Sequence, residues 1–118
     1  MFINKCDMHT HTVVSDHAFS TITEITSHCS KVGIELVAIT DHGPNLPDGA
    51  HPWHFESYRL LPRTLNGVIL IRGVELNIID YEGSVDLSAE ILKQLDYCIA
   101  SIHPPLSLIH ISEPTRPY

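Results

Sequence analysis

The spacing of its strand-like runs most constrains what this chain can fold into. Apolar, extended-looking stretches fall at residues 2–8, 35–40, 68–76 and 97–102, with helix-forming or loop sequence between them. Thr21 and Glu24 form a Thr-x-x-Glu capping box, in which each side chain satisfies an amide that the first helical turn leaves open. A helix is expected to follow, with Ile22, Ile25, Cys29 and Val32 on one face and Gly33 as its C-terminal cap. Residues 35–40 are nearly all apolar, the pattern of a strand covered on both faces. Residues 43–53 carry Gly43, Pro44, Pro47, Gly49 and Pro52 and read as a loop. A second helix is expected over 54–65, kinked or divided by Pro62, with Gly67 closing it. Residues 77–87 turn at Glu82-Gly83, and Ser88 caps a third helix running through Leu95. Strands alternating with helices in this way predict a parallel sheet or barrel with right-handed crossovers.

The ends of those strands carry the chemistry. His9 and His11 follow the first, Asp41 and His42 the second, Glu75 closes the third and His103 follows the fourth. From 11 to 42, 42 to 75 and 75 to 103 the steps are 31, 33 and 28 residues, each one strand-plus-helix unit. In a parallel barrel each unit returns the chain to the same rim, where barrel enzymes keep their sites. His9 and His11 are two apart in extended chain, so their rings share a side. Imidazole and carboxylate together suit zinc, iron or manganese, and a carboxylate has two oxygens with which to bridge two ions. His17, six residues further on, is placed to fold back over the same point. Taken singly, a His-x-His pair, a strand-end Glu and a His before Pro104 are ordinary surface or turn features. Their coincidence at matching strand ends is what points to a metal site.

Several neighbours have two readings. Asp41 orients an imidazole, or caps a turn or helix. His51, Trp53 and His54 cover the site and read substrate, or simply anchor a loop. Arg72 contacts a phosphate or forms a structural ion pair, the second being favoured, and His28 within the first helix is a solvated or partly buried side chain.

Composition narrows the function classes. With 7 Lys and Arg against 14 Asp and Glu, the net charge is −7, which does not advertise nucleic-acid or anionic-membrane binding. It leaves room for a small phosphorylated substrate, because metal ions supply positive charge locally. No run of 18 apolar residues occurs, and residues 1–10 lack the apolar stretch of a signal peptide. The three cysteines, Cys6, Cys29 and Cys98, are odd in number and form no Cys-x-x-Cys pair, so a reducing, cytoplasmic setting is expected. No Gly-x-Ser-x-Gly, Walker A or dinucleotide-binding motif competes with the histidines.

The motifs carry a family likeness. The stretch from Asp7 to Thr12, then Ser15 to His17, Ile39 to Gly43 and Arg72 to Glu75 resemble, in order and spacing, the motifs of the PHP (polymerase and histidinol phosphatase) superfamily. Within it they look like the YcdX-type bacterial phosphatases, which share the run from Thr40 to Pro44 and a His-rich loop like that from Pro52 to Phe55. The resemblance covers residues 2 to about 104 and implies the N-terminal portion of a distorted (β/α)7 TIM-like barrel. It further implies a metal-dependent phosphoester hydrolase with three ions, usually zinc. His9, His11 and Glu75 would serve the first ion, His17 and His42 the second, Glu75 and His103 the third. Three further ligands expected of the family, a His and an Asp-x-His pair, have no counterpart here, and His110 does not fit the pattern. Residues 1–105 are therefore expected to form a partial PHP domain and residues 106–118 a non-native tail. On that reading the chain by itself is an incomplete, inactive fragment. The alternatives are a non-catalytic metal-binding fragment, or amidohydrolase-type chemistry in a longer parent protein. The sequence does not fix the oligomeric state.

Overall fold

The computed structural model describes residues 4–103. The tail at 106–118 and His110 within it lie outside the described residues. Strand β1 (Cys6–Thr10) leads through a loop with one 3-10 turn (Val13–Ser15) into helix α1 (Ile22–Val32) and strand β2 (Leu36–Ile39). Helix α2 (Pro52–Glu56) runs on into a 3-10 turn (Ser57–Leu60), followed by strand β3 (Thr64–Leu65) and the long strand β4 (Val68–Asn77). A short helix α3 (Ala89–Leu92) and strand β5 (Tyr97–Ser101) complete the described chain. No helix among the described residues is long and apolar enough to cross a membrane.

Helix α1 forms for the reasons the sequence supplies. The Thr21 side chain accepts from the Glu24 amide while the Glu24 carboxylate receives the Thr21 amide. Gly33 closes the helix at φ 85°, a left-handed conformation that glycine adopts without steric cost. Strand β2 is buried on both faces, with Val37, Ala38 and Ile39 all at 1% exposure or less. Val37 and Ile39 pack in one core with Cys29 of α1, Phe55 and Tyr58 of the α2 segment, and Val68, Leu70, Val74 and Leu76 of β4.

Strands β1, β2, β4 and β5 pair in parallel, as the alternation requires. The result is part of a curled α/β barrel wall. Strand β4 is its spine. Its first half pairs with β2 (Leu36↔Ile69 to Ile39↔Arg72) and its second half with β5 (Gly73↔Tyr97 to Asn77↔Ser101).

Four expectations need correction. Residues 2 and 3 of the expected first strand lie outside the described residues; among those described the strand begins at Cys6 and runs through His9 to Thr10, because Thr10 is tied to β2 by its side chain to the Ala38 carbonyl (2.6 Å). The second helix spans 52–56 rather than 54–65. His51 caps its start, accepting from the Trp53 amide, and Pro52 occupies the first turn, where a missing N–H costs nothing. Pro62 holds Leu61 in extended conformation (ψ 141°), which ends the helical stretch. The chain then forms a hairpin. Asn66 and Gly67 both have positive φ (53° and 76°), and they fold β3 antiparallel onto β4. Helix α3 stops at Leu92, short of Leu95, because the chain tightens to return its Asp96 amide to the Arg72 carbonyl at 2.8 Å.

Gly73 sits where β4 passes from one partner to the other. A Cβ there would meet the Tyr97 carbonyl at 2.8 Å, Thr40 Cγ2 at 3.1 Å and the Ile39 carbonyl at 3.2 Å. Backbone on both sides cannot swing away as a side chain would. Gly73→Ala is expected to destabilise the chain by about 1–3 kcal/mol, as overpacking does. Urea unfolding of the two proteins checks this, and an unchanged midpoint would refute it.

Candidate metal centre

The parallel pairing carries four strand ends to one rim. The Glu75 amide donates to the Asp41 carbonyl (3.0 Å) and the Gly43 amide to the Glu75 carbonyl (2.9 Å), which fixes His42 beside Glu75. On the other edge Glu75 is in register with Ile99, four residues before His103. Strand β1 contributes through a bulge. Between the pairs Asp7↔Val37 and Thr10↔Ile39, β1 advances three residues while β2 advances two. Such an extra residue bends a strand and re-aims its side chains, here beside His9.

Glu75 is the centre of the result, with its side chain only 7% exposed. Its Oε1 lies 2.6 Å from His9 Nε2 and 3.1 Å from His11 Nε2, and its Oε2 lies 2.7 Å from His103 Nε2. His42 Nδ1 stands 3.8 Å from Oε1. Among the described residues these five side chains form two groups of candidate ligands, His9 with His11 and Glu75, and His42 with Glu75 and His103. Burial pushes the Glu75 carboxyl up, but the contacts with His9 and His103 and the charge of His42 win and hold it below the usual range. Burial, then the neighbouring His42, lowers His11, which favours the neutral ring that a cation requires.

The donor set fits a metal ion. His9 Nε2 and His11 Nε2 are 3.2 Å apart, so with Glu75 Oε1 they form a triangle of side 2.6–3.2 Å. Protons cannot satisfy all three sides, since the two nitrogens bring at most two and the carboxylate none. Ligands 2.0–2.1 Å from one ion in a tetrahedral set stand about 3.3 Å apart, close to this triangle. His42 Nδ1 and His103 Nδ1 are moreover buried with no hydrogen-bond partner among the described residues, a costly state for an imidazole nitrogen.

Of the six expected ligands, His9, His11, His42, Glu75 and His103 thus converge. His17 is exposed and belongs to neither group; its amide donates to the Ser15 carbonyl in the loop after β1. Arg72 forms the structural pair, with Nε 3.1 Å from Asp96 Oδ2, and Arg63 shares that carboxylate at 2.7 Å. His28 is exposed on α1.

Asp41 is the residue whose role the sequence left open. It is fully buried. Oδ1 receives the Thr12 amide (2.7 Å) and the Ser15 hydroxyl (2.8 Å). Oδ2 receives the Thr12 hydroxyl (2.8 Å) and the Tyr58 hydroxyl (3.2 Å) and lies 3.2 Å from His54 Nε2. Thr12 and Ser15 stood only as ends of the family-like motifs, with no role given to them, and Tyr58 did not stand out at all; the available signal was an Asp beside a ligand His at a strand end. His54 orients on Asp41 and Tyr58, whereas Trp53 is 73% exposed and stacks edge-on with His51.

Imidazoles and one shared carboxylate at the rim of a parallel α/β wall make a candidate metal centre. The PHP domain profile matches residues 7–115. The chain is 50% identical over 97 residues to a probable phosphatase of Thermoanaerobacter sp. (82% of this chain, 40% of the relative). It is 47% identical over 100 residues to one of Photobacterium profundum (85% and 41%). It is 43% identical over 104 residues to the probable phosphatase YcdX of Escherichia coli (88% and 42%). The chain belongs to the PHP domain family, and it spans about two fifths of the length of these relatives.

Burial pushes the Asp41 carboxyl up, but the bonds from His54, Thr12 and Ser15 prevail and bring it from 3.8 to about 2. A folded-state pKa below the unfolded value means stability that is complete above the unfolded pKa and lost as pH falls through the folded one. The carboxyl 13C resonance of Asp41 is expected to titrate near pH 2, with stability falling on the order of 2 kcal/mol across pH 5 to 2 from this group. A midpoint near 4 would show that the donors do not hold the carboxylate.

Proposed function

We propose that this chain carries one side of the multinuclear metal centre of a phosphoester hydrolase, acting on a small phosphorylated substrate rather than on nucleic acid. The observation that carries the reading is the two-sided use of Glu75, with His9 and His11 on one oxygen and His103 on the other. His9, His11 and Glu75 would hold one ion and His42, Glu75 and His103 a second, with zinc the first choice for these donors and manganese or iron the alternatives. A third ion, with His17 among its ligands, completes the centre in the proposed parent. Bound ions supply the activated water and the charge stabilisation that phosphoester hydrolysis needs. The protein's own part is to aim the imidazoles, to favour the neutral ring of His11, and to hold Glu75 ionised at the junction of the two groups. The relatives named as probable phosphatases support the substrate class, and their length supports completion of the centre by later strands. The free thiols of Cys6, Cys29 and Cys98 fit a cytoplasmic setting.

Metal content and hydrolysis of a chromogenic phosphate ester test the proposal, on this chain and on a version extended to the relatives' length. The extended protein is expected to bind about three ions and turn over, and the short chain to bind fewer and be inactive. In the extended protein Glu75→Gln is expected to empty the centre and lower kcat/KM by at least about 100-fold. Faster turnover of amide or lactone substrates than of phosphate esters would replace the phosphatase reading with an amidohydrolase one.

A further inference from the structure

We propose that Ser15, held by Asp41, sets the tautomer of His11, so that this imidazole presents its Nε2 lone pair to the metal centre. The inference rests on the metal-centre reading and adds two positioning residues to it.

The Ser15 hydroxyl belongs to a residue only 1% exposed, so water is not an available partner. It has one proton and two lone pairs, and three neighbours surround it. The His42 amide donates to Oγ at 3.1 Å, which uses one lone pair. Asp41 Oδ1 lies at 2.8 Å and, as a carboxylate oxygen, can only accept, so the serine proton goes to Asp41. The remaining direction faces His11 Nδ1 at 3.4 Å, and all that Oγ has left to offer there is a lone pair. Nδ1 must therefore bring the proton. A neutral ring protonated at Nδ1 carries its lone pair on Nε2, and His11 Nε2 is the atom that lies 3.2 Å from His9 Nε2 and 3.1 Å from Glu75 Oε1. The opposite tautomer would set two lone pairs against each other at Ser15 and point an N–H into the centre. Fixing a ligand histidine through its second nitrogen commonly contributes about 10- to 100-fold in metal affinity. The same hydroxyl receives the backbone of His42, so one serine holds ligands from two different strands in place.

The test uses the metal-free chain labelled with 15N-histidine, at a pH above ring titration, with the His11 signals assigned by their loss in His11→Gln. Long-range 1H–15N spectra report which ring nitrogen is protonated, and zinc affinity is read by competition with a chromophoric chelator. The parent is expected to show His11 protonated at Nδ1. In Ser15→Ala that preference is expected to give way to a mixture, with zinc affinity about 10- to 100-fold weaker. Tyr58→Phe removes a donor from the other oxygen of Asp41. It is expected to lower the melting temperature yet leave the tautomer and zinc affinity unchanged, which a merely structural role for Ser15 would not predict. Protonation of His11 at Nε2 in the parent overturns the proposal even if Ser15→Ala fails to fold. So does an unchanged tautomer in Ser15→Ala, or a Tyr58→Phe variant that reproduces its effects. Zinc binding with the expected tautomer, but no phosphate-ester hydrolysis by the extended protein, would remove the phosphatase reading and leave this one standing.

Discussion

A carboxylate with no access to water must be surrounded by donors or it will not stay ionised, and the rim of this wall is organised around one such group. Asp41 gathers Thr12 and Ser15 from the loop after β1 and Tyr58 and His54 from the α2 segment. Three segments far apart in sequence therefore meet at one point. None of them contributes a metal ligand through these contacts. Removing the carboxylate would leave several buried donors without an acceptor, each costing about 1–3 kcal/mol, so the network is a structural constraint first. Its consequence for the site is that the loop carrying His11 and the strand end carrying His42 cannot move independently.

Strand β4 supplies the second constraint. It hands its hydrogen bonding from β2 to β5 at Gly73, and Glu75 lies just past that point with a neighbour on each side. A residue so placed has its backbone pinned by both partners, so only the carboxylate is left to adjust. The Arg72–Asp96–Arg63 group reinforces the same junction, tying the chain entering β5 to the β3–β4 hairpin. Its charges are partly exposed and act as a clip rather than as part of the chemistry.

The features legible in the sequence were those that depend on local geometry or on the repeat of one unit. The box of Thr21 and Glu24, the glycine stop at Gly33 and the apolar run of β2 all formed where local rules put them. The convergence of His9, His11, His42, Glu75 and His103 followed from strand-plus-helix spacing alone. The hairpin was overlooked although its signal was present. Asn66-Gly67 is the dipeptide that two-residue hairpin turns favour, but the expected helix running to residue 65 obscured it. The shortness of α2 and α3 was not legible, because it is set by tertiary return contacts such as Asp96 to Arg72 and not by propensity. The same holds for Ser15 and Tyr58. A serine in a loop and a tyrosine in a turn carry no mark of the buried carboxylate they will meet.

The coupling between core and site runs through single elements that serve both. The α2 segment buries Phe55 and Tyr58 in the core while its His54 reaches the carboxylate at the rim. Strand β2 buries Val37 to Ile39 and then, within three residues, delivers Thr40 to β1, Asp41 to the hub and His42 to the centre. A loosened core would therefore be felt at the ligands as misplacement rather than as loss of any one contact. A metal ion tolerates errors of only about 0.2 Å in its ligand distances. Precision at the rim is thus a property of the packed wall as a whole: His9 is half-exposed on β1, but it meets a Glu75 held in the buried second half of β4.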